Sequence, residues 1–265
     1  IIHPKISKDT FTAPVIPRSL AFLAKNQDKQ IKTVERDSVS TNSELQYPDA
    51  SVTREKTRAS LKIQDGCDFM CSFCIIPFAR GRSRHRDFSN LQEEARMLVQ
   101  EGAQEIVITG VNVGTYKTRE LTIVDVVDFL NTLPGLARIR ISSIEPTTVP
   151  ETLFQYMSDP QHKLVPFLHL PLQSGSDAVL QKMKRCYSAA EYADEIQMAF
   201  ETVPDLCIGT DLMVGFPEES EAEFESTLKL LEKLPLAYFH VFPFSARKGT
   251  PAFKMKEQVP PPIKL

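Results

Sequence analysis

The sequence predicts an α/β fold with parallel strands. From Ala59 onward, short apolar runs alternate with amphipathic segments six times over, the pattern of strands returned by crossover helices. Stop and start signals punctuate that pattern: Ser220 and Glu223 are spaced as a capping box, and Gly102 and Pro134-Gly135 stand where helices should end. The composition, 42% apolar and 25% charged, is that of an ordinary globular chain. Its 265 residues hold one large domain, or one domain with an appendage.

The elements follow in order. Residues 59–63 (ASLKI) read as a buried strand leading into a cysteine-rich loop. Residues 91–101 are an amphipathic helix, with Ser89 as its N-cap and Gly102 at its end. Residues 105–109 (EIVIT) form the next strand, 122–133 a helix, and 138–142 (RIRIS) a third strand. A helix over 150–157 starts at Pro150, a favoured first-turn position. Residues 167–170 are a strand, 177–183 and 189–201 helices, 206–214 a strand, 220–234 a helix and 238–242 the last strand.

Residues 1–58 differ. Pro4, Pro14 and Pro17 interrupt them, 18–24 has the pattern of a short helix, and 26–58 are mainly polar. They read as a linker or the tail of a preceding domain, with 59–265 as the core domain. The formal charge of −3 leaves any polynucleotide contact to a local basic patch. No apolar run approaches the roughly 18 residues needed to span a bilayer, and no signal peptide is visible. Three of the five cysteines are clustered, which suits a reducing cytoplasm.

That cluster lies in residues 64–78, QDGCDFMCSFCIIPF. Cys67, Cys71 and Cys74 have C-x3-C-x2-C spacing, and Gly66 permits a sharp turn into the loop. Thiolates this close are metal ligands more often than disulfide partners. Two readings compete. An iron–sulfur cube normally takes four cysteines, so three would leave one iron open, the mark of a catalytic centre. A structural zinc would need a fourth ligand such as His85.

In α/β barrels chemistry gathers at the C-terminal ends of the strands. Those ends offer Asn112 after Gly110, then Glu145, then Gln173 and Ser174 ahead of a helix, then Asp211 and Gly215, then Ser245 and Arg247. Each alone is weak, since glycines there are more often ordinary turns. Polar residues at five successive strand ends carry more weight together.

Phe73 stands directly before the third cysteine, and this C-x3-C-x-aromatic-C loop resembles that of the radical S-adenosylmethionine (SAM) enzymes. The resemblance implies a partial, six-stranded (β/α)6 barrel and a 4Fe-4S cluster held by Cys67, Cys71 and Cys74. It also implies SAM bound at the open iron and reductively cleaved to a 5′-deoxyadenosyl radical. Asn112, Glu145, Gln173, Ser174, Asp211 and Gly215 become candidate SAM contacts.

The strings IQDGCDFMCSFCIIPFARG, ITGVN, RIRISSIEP, HLPLQSGSD, TDLMVGFPEE and HVFPFSARKGTPA are similar to the methylthiotransferase branch. RISSIE and the last string look most like the type that acts on N6-threonylcarbamoyladenosine at position 37 of tRNA, inserting sulfur and methyl at C2. Sister types act on isopentenyladenosine or on a ribosomal-protein aspartate. A reading from another class is a non-catalytic iron–sulfur module that binds RNA. The resemblance further implies tRNA at its anticodon loop and an electron-donor protein as partners. Family members carry a second cluster in an N-terminal domain and a C-terminal RNA-binding β domain. Residues 1–58 contain no cysteine, so the chain is expected to be the central domain of a longer enzyme.

Arg80, Arg82, Arg84 and Arg86 crowd beside the cysteine loop. They are read either as phosphate contacts for tRNA or as a solvated charged loop. Cys207 is expected in the core and Cys186 exposed. His169 and His240 are expected as hydrogen-bonded strand residues, and Tyr187 either stacks on a base or is structural.

Overall fold

The computed structural model describes residues 57–264. The expected domain remnant and the helix over 18–24 lie outside the described residues.

Six parallel strands run in chain order. β1 (Arg58–Lys62) pairs with β2 (Glu105–Thr109), and β2 with β3 (Arg138–Ile141). β4 (Phe167–His169) pairs with β5 (Cys207–Val214), and β5 with β6 (Tyr238–Pro243). The two trios are stitched together where Ile139 N–H donates to Lys163 O at 2.8 Å and Val165 N–H to Ile139 O at 3.0 Å. No ladder joins β1 to β6 among the described residues. The result is the open, partial barrel that the motif resemblance implies.

Strand alternation gives the barrel two faces. Ala59 and Leu61, Ile106 and Ile108, Ile139 and Ile141, Leu168, and Ile208 and Leu212 are buried against the helices in one continuous core. Each such aliphatic side chain contributes about 1.5–3 kcal/mol when fully buried. The intervening residues face inward: Lys62, Glu105, Arg140, His169, Asp211 and others are mostly polar. The helices outside are α1 (Phe88–Gln100), α2 (Ile123–Thr132), α3 (Thr152–Ser158), α4 (Asp177–Met183), α5 (Ala189–Thr202) and α6 (Glu221–Leu231).

Element types agree with the sequence reading, and boundaries shift by a few residues. α1 starts earlier than expected: Asp87, not Ser89, is its N-cap and accepts the Asn90 N–H at 3.1 Å. A carboxylate is the stronger acceptor for those first N–H groups, and Ser89 sits inside the helix with its hydroxyl on Asp87. α3 begins at Thr152 because a 3-10 turn over Pro146–Thr148 occupies the approach. The Ser220–Glu223 capping box forms as expected, and Thr122–Asp125 and Ser188–Glu191 make two more. β6 is an edge strand whose Phe239 and Val241 remain 52% and 50% exposed.

Candidate metal centre and barrel interior

A short hairpin closes the cysteine loop. Gln64–Asp65 pairs antiparallel with Arg84–His85, so the chain leaves β1, circles through the three cysteines and returns beside itself. Gly66 makes the turn at φ +72°, where a Cβ would lie 2.0 Å from the Arg82 carbonyl oxygen. Ser72 anchors the middle of the loop. Its N–H donates to Met183 O at 2.9 Å, its hydroxyl to Lys182 O at 2.7 Å, and its carbonyl accepts Ala252 N–H at 2.8 Å. The end of α4 and the segment after β6 therefore both hold the loop.

Gln64 ties the loop to the end of β2. It is fully buried. Its amide donates to Gly66 O at 2.7 Å and Ser83 Oγ at 2.8 Å. Its Oε1 accepts the N–H groups of Val111 and Asn112 at 2.9 Å each.

The thiols are poised for metal rather than for free thiolate chemistry. Burial pushes Cys67 up to about 11, and the neighbouring thiols add to the rise against the pull of the Phe69 N–H. Burial also raises Cys71, partly offset by the Arg185 guanidinium, and raises Cys74. Such thiols become thiolates when a cation ligates them. Three thiols are the cysteine complement of an iron–sulfur cube with one open iron, whereas a closed structural zinc needs a fourth ligand. His85 meets Tyr116 edge-on at 5.9 Å, its Nδ1 buried with no hydrogen-bond partner among the described residues. The donor set fits the cube.

Beside the cysteines lies a charged pair that sequence reasoning found only by half. Glu145, after β3, pairs with Arg185, after α4. Arg185 Nη1 also lies 3.4 Å from Cys71 Sγ. Burial raises Glu145 above the usual carboxylate range, with Arg185 opposing that rise. Tyr187 braces the guanidinium, with Arg185 Nη2 2.8 Å from its oxygen, and donates its own hydroxyl to Pro171 O at 2.7 Å. Tyr187 is thus structural. Arg185 escaped the sequence reading because nothing in KMKRCY signals that one of its cations turns inward; its neighbour Cys186 is exposed.

The other predicted residues divide. Asn112 is buried beside the loop, its Oδ1 3.4 Å from Thr148 Oγ1. Gln173 sits at φ +73° and exchanges backbone hydrogen bonds with Asp211 and Met213, extending the β4–β5 pairing. Ser174 is fully buried and its hydroxyl accepts Ser176 N–H at 3.2 Å. It therefore shapes the entry to α4 and does not face a ligand, which corrects the expected contact. Gly215, at φ +68°, donates its N–H to Glu219. Asp211 lies on the inner face between two histidines, 3.0 Å from His169 Nε2 and 3.0 Å from His240 Nδ1. Cys207 opens β5 half-buried, rather than lying in the core.

The four arginines are not one patch. Arg80 reaches buried Asp65 at 3.3 Å, Arg84 approaches the same carboxylate at 4.0 Å, and Arg82 lies 3.6 Å from exposed Asp68. Arg86 is only 2% exposed and pairs with Glu94, with Asn90 Oδ1 at 2.7 Å. That burial removes Arg86 from the expected RNA contacts.

Residues 61–231 match the family described as the radical SAM superfamily. The chain is 40% identical over 205 residues to a threonylcarbamoyladenosine tRNA methylthiotransferase, MtaB, of Chlamydia pneumoniae, covering 77% of this chain and 48% of that protein. The MtaB of Bacillus subtilis is 40% identical over 219 residues, covering 82% and 48%. A tRNA-2-methylthio-N(6)-dimethylallyladenosine synthase of Protochlamydia amoebophila is 37% identical over 225 residues, covering 83% and 50%. The chain spans about half the length of these relatives. Among solved structures, coproporphyrinogen III oxidase (HemN) of Escherichia coli superposes with a TM-score of 0.60 at 17% identity, over 80% of this chain and 50% of that one. The methyltransferase TsrM of Kitasatospora setae gives 0.59 at 16%, over 75% and 39%.

Proposed function

The chain belongs to the radical SAM superfamily, and from that premise we propose that it is the catalytic core of a tRNA methylthiotransferase acting on N6-threonylcarbamoyladenosine beside the anticodon. The observation that carries the reading is the pinned three-cysteine loop at the mouth of an open six-stranded barrel. Cys67, Cys71 and Cys74 would hold the 4Fe-4S cluster. When bound, the cluster and SAM supply an electron and a radical able to open an unreactive C–H bond.

The protein's own groups orient and shield that chemistry. Gln64 and Ser72 fix the loop against β2 and α4. The Glu145–Arg185 pair and Asn112 line the approach to the cysteines, with Gln173 and the backbone of Gly215 as further proposed SAM contacts. Arg80, Arg82 and Arg84, on the rim, are the proposed phosphate contacts, since arginine forks match phosphate oxygens. The anticodon loop can splay a base into the barrel because it is single-stranded.

One feature favours the threonylcarbamoyl substrate over the isopentenyl one. Glu105, on the inner face, is met by Arg58 Nε at 2.9 Å, Arg138 Nε at 3.0 Å and Arg140 Nε at 2.9 Å. Three guanidinium groups on one carboxylate leave two formal positive charges in excess on the barrel floor. A threonyl carboxylate complements that excess; an isopentenyl chain gains nothing from it. Mass spectrometry of tRNA from cells lacking the gene tests the assignment. The 2-methylthio form of threonylcarbamoyladenosine should disappear while that of isopentenyladenosine persists. The opposite pattern overturns the substrate choice, and loss of neither overturns the function.

A further inference from the structure

The inner face of β5 and β6 carries side chains that the cysteine loop does not use. Gly209, Asp211 and Met213 pair in register with Tyr238, His240 and Phe242, so these six residues form three inward rungs. On the lowest, the Tyr238 ring lies across Gly209, where a Cβ would come within 2.0 Å of the ring. On the middle rung, Asp211 Oδ1 is 3.0 Å from both His240 Nδ1 and His169 Nε2, and His169 Nδ1 is 3.1 Å from the Tyr238 hydroxyl. On the uppermost, Met213 packs against the small apolar cluster of Val179, Met183, Phe216, Phe244 and Ala252, and Phe73 of the cysteine loop packs against the same cluster. The middle rung is thus one side-chain repeat, about 7 Å, below the layer that shares this cluster with the loop.

The rings make a continuous wall. Phe167 stacks on Tyr238 at 6.3 Å, Tyr238 and His240 are 5.4 Å apart, and His240 and Phe242 6.3 Å. Yet the His240 side chain is 56% exposed and Phe242 is 50% exposed. Among the described residues nothing covers them, and large rings so exposed beside a polar interior are suited to receiving a flat partner. The hydrogen bonds have a consistent direction for neutral imidazoles. Tyr238 O–H donates to His169 Nδ1, His169 Nε2–H to Asp211, and His240 Nδ1–H to Asp211. His240 Nε2 then carries a lone pair, so with the carboxylate it presents acceptors only.

We infer that this wall is the platform for the target nucleobase. The base stacks on His240 and Phe242, and the N–H of its exocyclic nitrogen donates to the Asp211–His240 acceptors. The ligand class is an N6-substituted adenine that keeps an N–H, and the inference rests on the tRNA reading above. A metal ion on the same three donors is the competing occupant, since they lie within 4.8 Å of one another. Each 3.0 Å contact, however, is already accounted for as an N–H donated to a carboxylate.

The test uses the full gene product, reconstituted with iron and sulfide, and an anticodon stem-loop RNA carrying the modified adenosine. His240→Ala and Asp211→Asn are compared at matched iron content. Both should raise KM for the RNA about tenfold, the loss expected for one stacked base. Both should also raise the ratio of 5′-deoxyadenosine to methylthio product, because an unheld base wastes the radical. His240→Phe, which keeps a ring, should restore KM to within about threefold of the parent. Unchanged KM and ratio in both variants overturn the platform, as does a His240→Phe no better than His240→Ala. So does one zinc or iron per chain, beyond the iron of both expected clusters, that His240→Ala releases. If the parent forms no methylthio product, the functional reading fails instead. A stem-loop with 2-aminopurine at the target position then decides the platform. Fluorescence quenching that His240→Ala relieves upholds it, and absence of quenching overturns it.

Discussion

Arg185 stands between two partners of opposite function, with Nη1 3.4 Å from Cys71 Sγ and Nη2 on the Glu145 carboxylate. A cation donating to a cluster sulfur stabilises the more negative, reduced cluster. Arg185→Gln should therefore make the cluster harder to reduce, by about 60 mV, the shift that changes a one-electron equilibrium tenfold. Potentiometric titration followed by electron paramagnetic resonance reads it directly. An unchanged potential would mean that the guanidinium serves only Glu145.

The ligand assignment predicts a sharp division among the cysteines. Replacing Cys67, Cys71 or Cys74 with Ala should strip or degrade the cluster, seen as lost iron and lost visible absorbance. Cys186→Ala and Cys207→Ala should keep the parent's iron. Cluster loss in either of the latter, with the triad variants intact, would reverse the assignment.

The sequence made the strands and helices legible because their signals are local, and the motif resemblance arranged them as a partial barrel. Alternation such as RIRIS marks a two-faced strand, and Ser220-x-x-Glu223 marks a helix start, without knowledge of anything distant. The cysteine loop was legible for the same reason. The residues that complete the site were not. Gln64 reaches Asn112 across 48 positions and Arg185 reaches Cys71 across 114, and no local pattern announces either contact. Arg86 shows the converse. It sits in an arginine-rich string, yet the buried carboxylate of Glu94 claims it.

Gly66 bears the loop's turn at φ +72° with no room for a side chain. Gly66→Ala should cost about 1 kcal/mol for the left-handed backbone alone, and more for the contact with Arg82. Thermal unfolding of the reconstituted protein should show the loss, together with reduced iron uptake. Gly102→Ala, also at positive φ but with nothing within 4 Å, supplies the control and should lose only the backbone part.

Glu105 gives a pH signature. Burial raises its carboxyl, but hydrogen bonds from Arg140 and Arg138 and the surrounding charge outweigh that and hold it below the usual carboxylate range. A folded-state pKa below the unfolded one stabilises at higher pH. The contribution is complete above the ordinary glutamate value near 4.3 and is lost as pH falls through the lowered folded value. The parent should thus lose stability in that acid window, measured by urea titrations across pH. Glu105→Gln should be less stable at neutral pH and show a flatter acid limb.

The rim arginines predict a salt effect. Neutralising Arg80 and Arg82 together should weaken tRNA binding by the full gene product and flatten its dependence on salt. An unchanged slope assigns them to the solvated loop. Arg86→Gln should instead lower stability, because it leaves Glu94 buried without its partner.

Edge strand β6 has a practical consequence. Its outer Phe239 and Val241 are uncovered among the described residues, and one side of its backbone lacks a neighbouring strand there. Such an edge is a template for adding strands from other molecules. A preparation limited to the barrel should therefore lose monomer as its concentration rises, giving turbidity and early elution from a sizing column. Phe239→Lys, which places a charge on that edge, should delay both.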